Sequence, residues 1–214
     1  MALNRDTHGA QTSEYSAQIA RKVAYVFQNP DDQIFGRDVL SEVSFVPRML
    51  DLPEEEAQRR IKQALELTGL TGFEHDNPQD FPLAVRKFVA IASTLVSDAR
   101  YVILDEPTAG LDVSGKRRLT RILDVLSERG VAVVTISHDM RYVADHFHRV
   151  VVMRQGGVVT DDTREAVFAS DDALAAARLQ RPRASQLARE VGVMDPTLDL
   201  AKLAERISEK VRAA

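Results

Sequence analysis

Twelve consecutive residues, Tyr101-Val-Ile-Leu-Asp-Glu-Pro-Thr-Ala-Gly-Leu-Asp112, constrain this chain more than any others. Tyr101 to Leu104 is apolar, β-rich and of strand length. It ends in two adjacent carboxylates, Asp105 and Glu106. Pro107 stops strand pairing and biases Glu106 towards an extended backbone. In an open α/β sheet the carboxyl ends of the strands are where ligands bind. The chemistry that asks for two acids there is metal-assisted phosphoryl transfer. One carboxylate holds Mg²⁺, directly or through water, and the next positions or deprotonates the attacking water. An acidic surface turn explains Asp-Glu alone equally well, so the rest of the chain decides.

Around that stretch, apolar strands alternate with helices. Val23 to Phe27 reads as a strand ended by Gln28, Asn29 and Pro30. Asp38 to Leu50 has a helical spacing that Pro47 ends or kinks. Pro53-Glu-Glu-Glu opens a helix, with proline in the first turn and acids near the positive end of the dipole, and Gly69 closes it. Arg86 to Ser97 is a second apolar helix. Val113 to Arg129 is an amphipathic helix stopped by Gly130. Val131 to Ile136 is a buried, parallel-type strand, followed by Ser137, His138 and an Asp139 helix cap. Val150–Met153 and Val158–Thr160, joined around Gly156-Gly157, form a hairpin. Helices dominate from Ala173 onward, with breaks at Pro182 and Pro196. This alternation over residues 23–153 implies a mainly parallel sheet covered on both faces.

The 214 residues suffice for a full core. A net charge of −4 argues against nucleic acid or an anionic membrane as a general partner. The absence of cysteine excludes a disulfide framework and cysteine-ligated zinc. The polar start, Met1 to His8, is unlike a signal peptide. No run approaches the roughly 18 apolar residues of a membrane span, so a membrane role comes through a partner.

Parallel strands bring Gln28, Asp105-Glu106 and His138 to one sheet edge. There a glutamine can reach a metal or water, and a neutral histidine can hydrogen-bond a terminal phosphate. Taken singly, Gln28 reads as a turn opener and His138 as a helix-entry residue. His146 and His148 do not share a helix face and read as surface residues.

Residues 23–160 resemble an ATP-binding cassette (ABC) ATPase, the motor subunit of ABC transporters. Val26-Phe-Gln-Asn-Pro-Asp-Asp-Gln-Ile-Phe35 resembles the Q-loop of the energy-coupling-factor subgroup, which drives vitamin and metal-ion importers. Leu104-Asp-Glu-Pro-Thr-Ala-Gly-Leu-Asp112 is similar to the Walker B motif and D-loop, and Thr135-Ile-Ser-His-Asp139 to the switch histidine. Arg183-Ala-Ser-Gln-Leu-Ala188 resembles the subgroup's C-terminal extension.

The resemblance implies a P-loop NTPase-type α/β fold: an incomplete ATPase domain over 1–170, a helical subdomain near 38–98, and a helical extension over 171–214. It implies ATP and Mg²⁺ as cofactors. Asp105 would order Mg²⁺, Glu106 would polarise the water, and His138 would sense the γ-phosphate. Gln28 would bind metal or water and relay the state of the site to a membrane partner. Asp112 would cross to the opposing site of a dimer. The implied partners are a second ATPase subunit, identical or not, and an integral membrane transporter subunit. The implied location is the cytoplasmic face of the cell membrane.

Two departures qualify this. A phosphate loop, Gly-x4-Gly-Lys-Ser/Thr, is expected before the Q-loop strand, but only 22 residues precede Val23. Gly110 to Lys116 fits the spacing, but Arg117 replaces the hydroxyl residue and the D-loop overlaps it, so it reads as coincidence. The expectation is a chain without the N-terminal β-subdomain and phosphate-loop strand. Such a chain would be inactive alone and poorly soluble through an open edge at Val131–Ile136, with a phosphate-loop sequence upstream of the Met1 codon. The second departure is Phe81-Pro-Leu-Ala-Val85, which stands where the family has Leu-Ser-Gly-Gly-Gln. The adjacent Arg86-Lys87 either retains some of that motif's attraction for nucleotide phosphate or is a solvated helix start. Two rival readings remain: a non-catalytic pairing module, and a soluble ABC-type protein outside transport.

Overall fold

A computed structural model describes residue 19 and residues 21–192 and 200–213. The polar stretch 1–18 and the Pro196 break lie outside the described residues. The chain divides into two compact units, residues 1–136 and 137–214. The sequence boundary near residue 170 lies inside the second.

The first unit is built on three parallel strands in the order β1 (Val23–Val26), β2 (Tyr101–Asp105), β3 (Ala132–Ile136). Tyr25 is in register with Ile103, and Asp105 with Ile136. Residues of one parity, Ala24, Val26, Val102 and Leu104, are buried. Residues of the other parity, Tyr25, Tyr101, Val134 and Ile136, are 37–53% exposed. Among the described residues the sheet is therefore covered on one face, not two. Both faces are apolar, so the sequence reads as a fully buried run although only one face is packed. β3 has a hydrogen-bonded neighbour on one side only among the described residues.

Helices supply the covered face. The Asp38–Leu50 spacing yields two short helices, α1 (Val39–Val43) and α2 (Phe45–Met49), broken at Ser44. Pro47 is tolerated inside the first turn of α2, where its missing N–H would have no helical partner. Asp38 Oδ1 caps α1 by accepting from the Ser41 N–H at 2.7 Å. α3 (Glu54–Thr68) begins after Pro53 and ends at Gly69, whose φ is +69°. A side chain at Gly69 would meet the Arg118 guanidinium, which donates to the Thr68 carbonyl at 2.9 Å and lies over the Phe88 ring. α4 (Leu83–Leu95) starts three residues earlier than the sequence suggests, because Pro82 serves as its N-cap. α5 (Val113–Glu128) buries Leu119, Ile122 and Leu126.

The second unit holds α6 (Met140–His146) and an antiparallel hairpin, β4 (Arg149–Arg154) and β5 (Gly157–Thr163). Among the described residues these two strands form a two-stranded sheet of their own. α7 (Arg164–Ala169) and α8 (Asp171–Ala177) follow. Val143, Ala144, Phe168 and Leu174 form one apolar cluster. α9 (Arg183–Glu190) and α10 (Leu200–Ala213) share another, around Ala184, Ala188 and Leu203. Among the described residues no helix is long and apolar enough to cross a membrane.

Candidate functional site

Asp105 is the last residue of β2. Tyr25, on the neighbouring strand, donates its hydroxyl to Asp105 Oδ2 at 3.0 Å. That bond, with desolvation and the carboxylate charge behind it, pushes the phenol above the ordinary tyrosine range.

Glu106 does not take the extended backbone expected before Pro107. Its φ is +45°, a left-handed value that a non-glycine residue keeps only when its surroundings hold it. Its N–H donates to the Ile136 carbonyl at 2.9 Å. Its own carbonyl accepts from the Ala109 N–H at 3.2 Å and from Lys87 Nζ at 2.8 Å. The bonds from β3 and α4 override the local bias that proline imposes.

Neither Arg86 nor Lys87 is a freely solvated helix start. Arg86 Nε lies 3.3 Å from Asp31 Oδ1, joining α4 to the loop after β1. Lys87 is 5% exposed. Burial holds its pKa below the usual lysine value, against the opposing pull of Glu106 and Asp105.

Gln28 is exposed two residues beyond the end of β1. Its loop is held from behind by two residues that sequence reasoning missed. Gln33 accepts from the Phe27 N–H at 3.1 Å and donates to the Ala90 carbonyl at 2.9 Å and Thr94 Oγ1 at 3.1 Å. The buried Glu42 accepts from the N–H groups of Phe35 and Gly36 at 3.0 and 2.7 Å. Gly36 has to be glycine there, since a Cβ would lie 2.7 Å from the Glu42 nitrogen. The available signal was a carboxylate on the buried Val39–Val43 stripe of α1. Phe35 and Phe45 meet edge to face at 4.7 Å beside this loop, at a cleft of about 230 Å³ lined also by Tyr25, Val46 and Thr94.

Asp112 caps α5: Oδ1 accepts from the Gly115 N–H at 2.7 Å and from the Ser114 hydroxyl at 2.9 Å. The Gly115 N–H, then Ser114, hold its pKa below the usual carboxylate value. The Gly110–Lys116 stretch is therefore no phosphate loop, because a carboxylate already takes the amide that would face phosphate.

His138 belongs to the second unit and is exposed. Its carbonyl accepts from the Met140 N–H at 3.0 Å, and Asp139 caps α6 by accepting from Tyr142 N–H at 3.0 Å. His146 packs on the Tyr142 ring, and both His146 and His148 are exposed, as surface residues should be. Among the described residues no group of three or more His, Cys, Asp or Glu could hold a metal. Mg²⁺ needs only one or two carboxylates when waters and substrate phosphates complete its octahedron. Asp105, half-buried at a strand end, fits that requirement.

The ABC transporter family matches residues 3–109. The energy-coupling factor transporter ATP-binding protein EcfA of Methanocaldococcus jannaschii is 37% identical over 79% of this chain and 61% of its own. A putative ABC transporter ATP-binding protein of Pyrococcus furiosus is 39% identical over 86% of this chain and 71% of its own. The solved structure of CbiO1 from Clostridium perfringens, part of the ABC transporter complex CbiONQ, superposes with a TM-score of 0.65. It is 32% identical over 80% of this chain and 69% of that one. The chain spans 31–61% of the first three curated relatives it matches. Its α/β architecture is that of the P-loop NTPase-type ABC ATPases, and the chain belongs to the ABC transporter family, among its ATP-binding proteins.

Proposed function

We propose that this chain is the ATP-binding subunit of an energy-coupling-factor type importer, coupling ATP hydrolysis to uptake of a small nutrient such as a metal ion or vitamin. One observation carries the reading: Asp105 and Glu106 sit together at the carboxyl end of β2, each held by a bond from a different element. Mg²⁺ held at Asp105 supplies charge neutralisation on the phosphates. Glu106 takes the proton of the attacking water, and His138 hydrogen-bonds the terminal phosphate. Gln28, on its anchored loop, touches metal or water. Asp112 keeps α5 and the D-loop in place for a second ATP-binding subunit. The names of the relatives support this assignment and suggest a location on the cytoplasmic face of a membrane, through a partner. We assign residues 38–98 as the helical subdomain and 171–214 as the C-terminal extension.

Within the proposal, the chain by itself is inactive and binds Mg-ATP weakly. A glycine-rich loop and its lysine supply most phosphate contacts in such sites, and without them Asp105 and Glu106 repel the nucleotide. A calorimetric titration that finds micromolar Mg-ATP affinity for residues 1–214 overturns this. Copurification with an integral membrane protein, together with ATP turnover of the assembled complex, is the expected result for the transport reading. A chain found without a membrane partner defeats it.

A second reading is a non-catalytic module that pairs with a complete ATP-binding subunit. Phe81–Val85 favours it, because that stretch offers neither the serine nor the glycines that contact a nucleotide across the dimer. Turnover abolished by Glu106→Gln in the assembled complex excludes this reading, and turnover unchanged by it supports it.

A further inference from the structure

We propose that Lys87 is a positioning residue for Glu106: its ammonium fixes the Glu106–Pro107 peptide and ties the carboxylate loop to the first turns of α4. The proposal rests on the phosphoryl-transfer reading of Glu106.

A lysine is the residue that a buried helix face accommodates least, because its charge loses water. Lys87 is nevertheless buried, directly before the apolar run Phe88-Val89-Ala90. Its bond runs to a main-chain carbonyl, at 2.8 Å, so it constrains backbone rather than neutralising an acid. The residue it constrains sits at φ +45°. The Glu106 N–H, in the preceding peptide, donates to the Ile136 carbonyl on β3, while the Glu106 carbonyl accepts from the Ala109 N–H in the same loop and from Lys87. Lys87 is the one of these that comes from α4. Leu83 lies one helical turn before it on the same face of the helix. A Cβ placed on Gly110 would be 3.5 Å from Leu83 Cδ2, so α4 meets the carboxylate loop at two points. A displacement of the start of α4 relative to the sheet therefore pulls on the Glu106 peptide. The Phe81–Val85 segment feeds directly into that helix start, which gives it a route to Glu106 of its own subunit.

Glu106–Pro107 is the one Glu-Pro pair in the sequence. The full chain labelled with carbonyl-carbon-13 glutamate and nitrogen-15 proline thus reports one carbonyl through its coupling to nitrogen. Lys87→Met keeps the length of the side chain and removes the donor. The expected result is an upfield move of the Glu106 carbonyl resonance, with the remaining spectrum native. In a complex assembled with a complete ATP-binding subunit, kcat falls by about tenfold to a hundredfold while KM for ATP holds, as for a misplaced catalytic group. Lys87→Arg keeps a charged donor and is expected to hold the resonance near its native position and retain turnover. An unmoved resonance in folded Lys87→Met overturns the proposal. So does a moved resonance with unchanged kcat, or loss of both properties in folded Lys87→Arg. If the wild-type assembly turns over no ATP, the functional reading fails, and the carbonyl resonance alone decides whether Lys87 holds Glu106.

Discussion

Tyr25 donates its hydroxyl to Asp105 across the β1–β2 boundary, at 3.0 Å from Oδ2. The bond favours the protonated phenol, whose pKa stands above the ordinary tyrosine value. The contribution to stability is thus fully present below about pH 10, the unfolded tyrosine value, and is lost as pH rises through the higher folded value. Phenolate absorbance should show one late-ionising tyrosine that disappears in Tyr25→Phe and moves down in Asp105→Asn. A titration identical in wild type and Tyr25→Phe would remove the bond from consideration.

Asp112 behaves oppositely. Its folded pKa is depressed by the Gly115 N–H and the Ser114 hydroxyl. Its contribution is present above about pH 4, the unfolded aspartate value, and is lost as pH falls through the lower folded value. Asp112→Ala should lower the thermal midpoint at neutral pH, and that difference should vanish in acid. Asp112→Asn, which still caps, should lose less. Equal losses for the two variants would contradict the cap.

Leu119 is fully buried in α5. Leu119→Ala should cost about 3 kcal/mol in urea unfolding, from lost burial plus the cavity left behind. Val113 on the same helix is 69% exposed, and its alanine variant should change stability by less than about 0.5 kcal/mol. Similar effects for both would mean that α5 does not pack as described.

Val134 and Ile136 present an apolar surface on β3, which has one paired side among the described residues. Exposed, flat, β-rich edges template association. Light scattering of residues 1–214 should rise with concentration, and Val134→Lys should suppress it without lowering the unfolding midpoint. Monomeric behaviour at every concentration in the wild type would show that this face is closed in solution.

How much of this was legible depended on where the information lay. Asp105, Glu106, Gln28 and the helix cap at Asp139 sit at element boundaries, where local chemistry determines the placement; the cap at Asp112 emerged only with the structure. Tyr25 and Gln33 could not be read that way, because their partners lie 80 and 57 residues away. Lys87 offered a trace, a cation just ahead of an apolar helical run, but its partner is a carbonyl, which any residue carries. The extended bias placed on Glu106 was sound local physics, outweighed by bonds from β3 and α4. The single covered face of the sheet escaped notice because alternation is invisible when both parities are apolar.

Arg86 and Lys87 are consecutive on α4, yet they grip different loops: Arg86 holds Asp31, three residues after Gln28, and Lys87 holds Glu106. The helix thus ties both loops to one rigid element. A shift of α4 would therefore bear on the loop after β1 and on the carboxylate loop together.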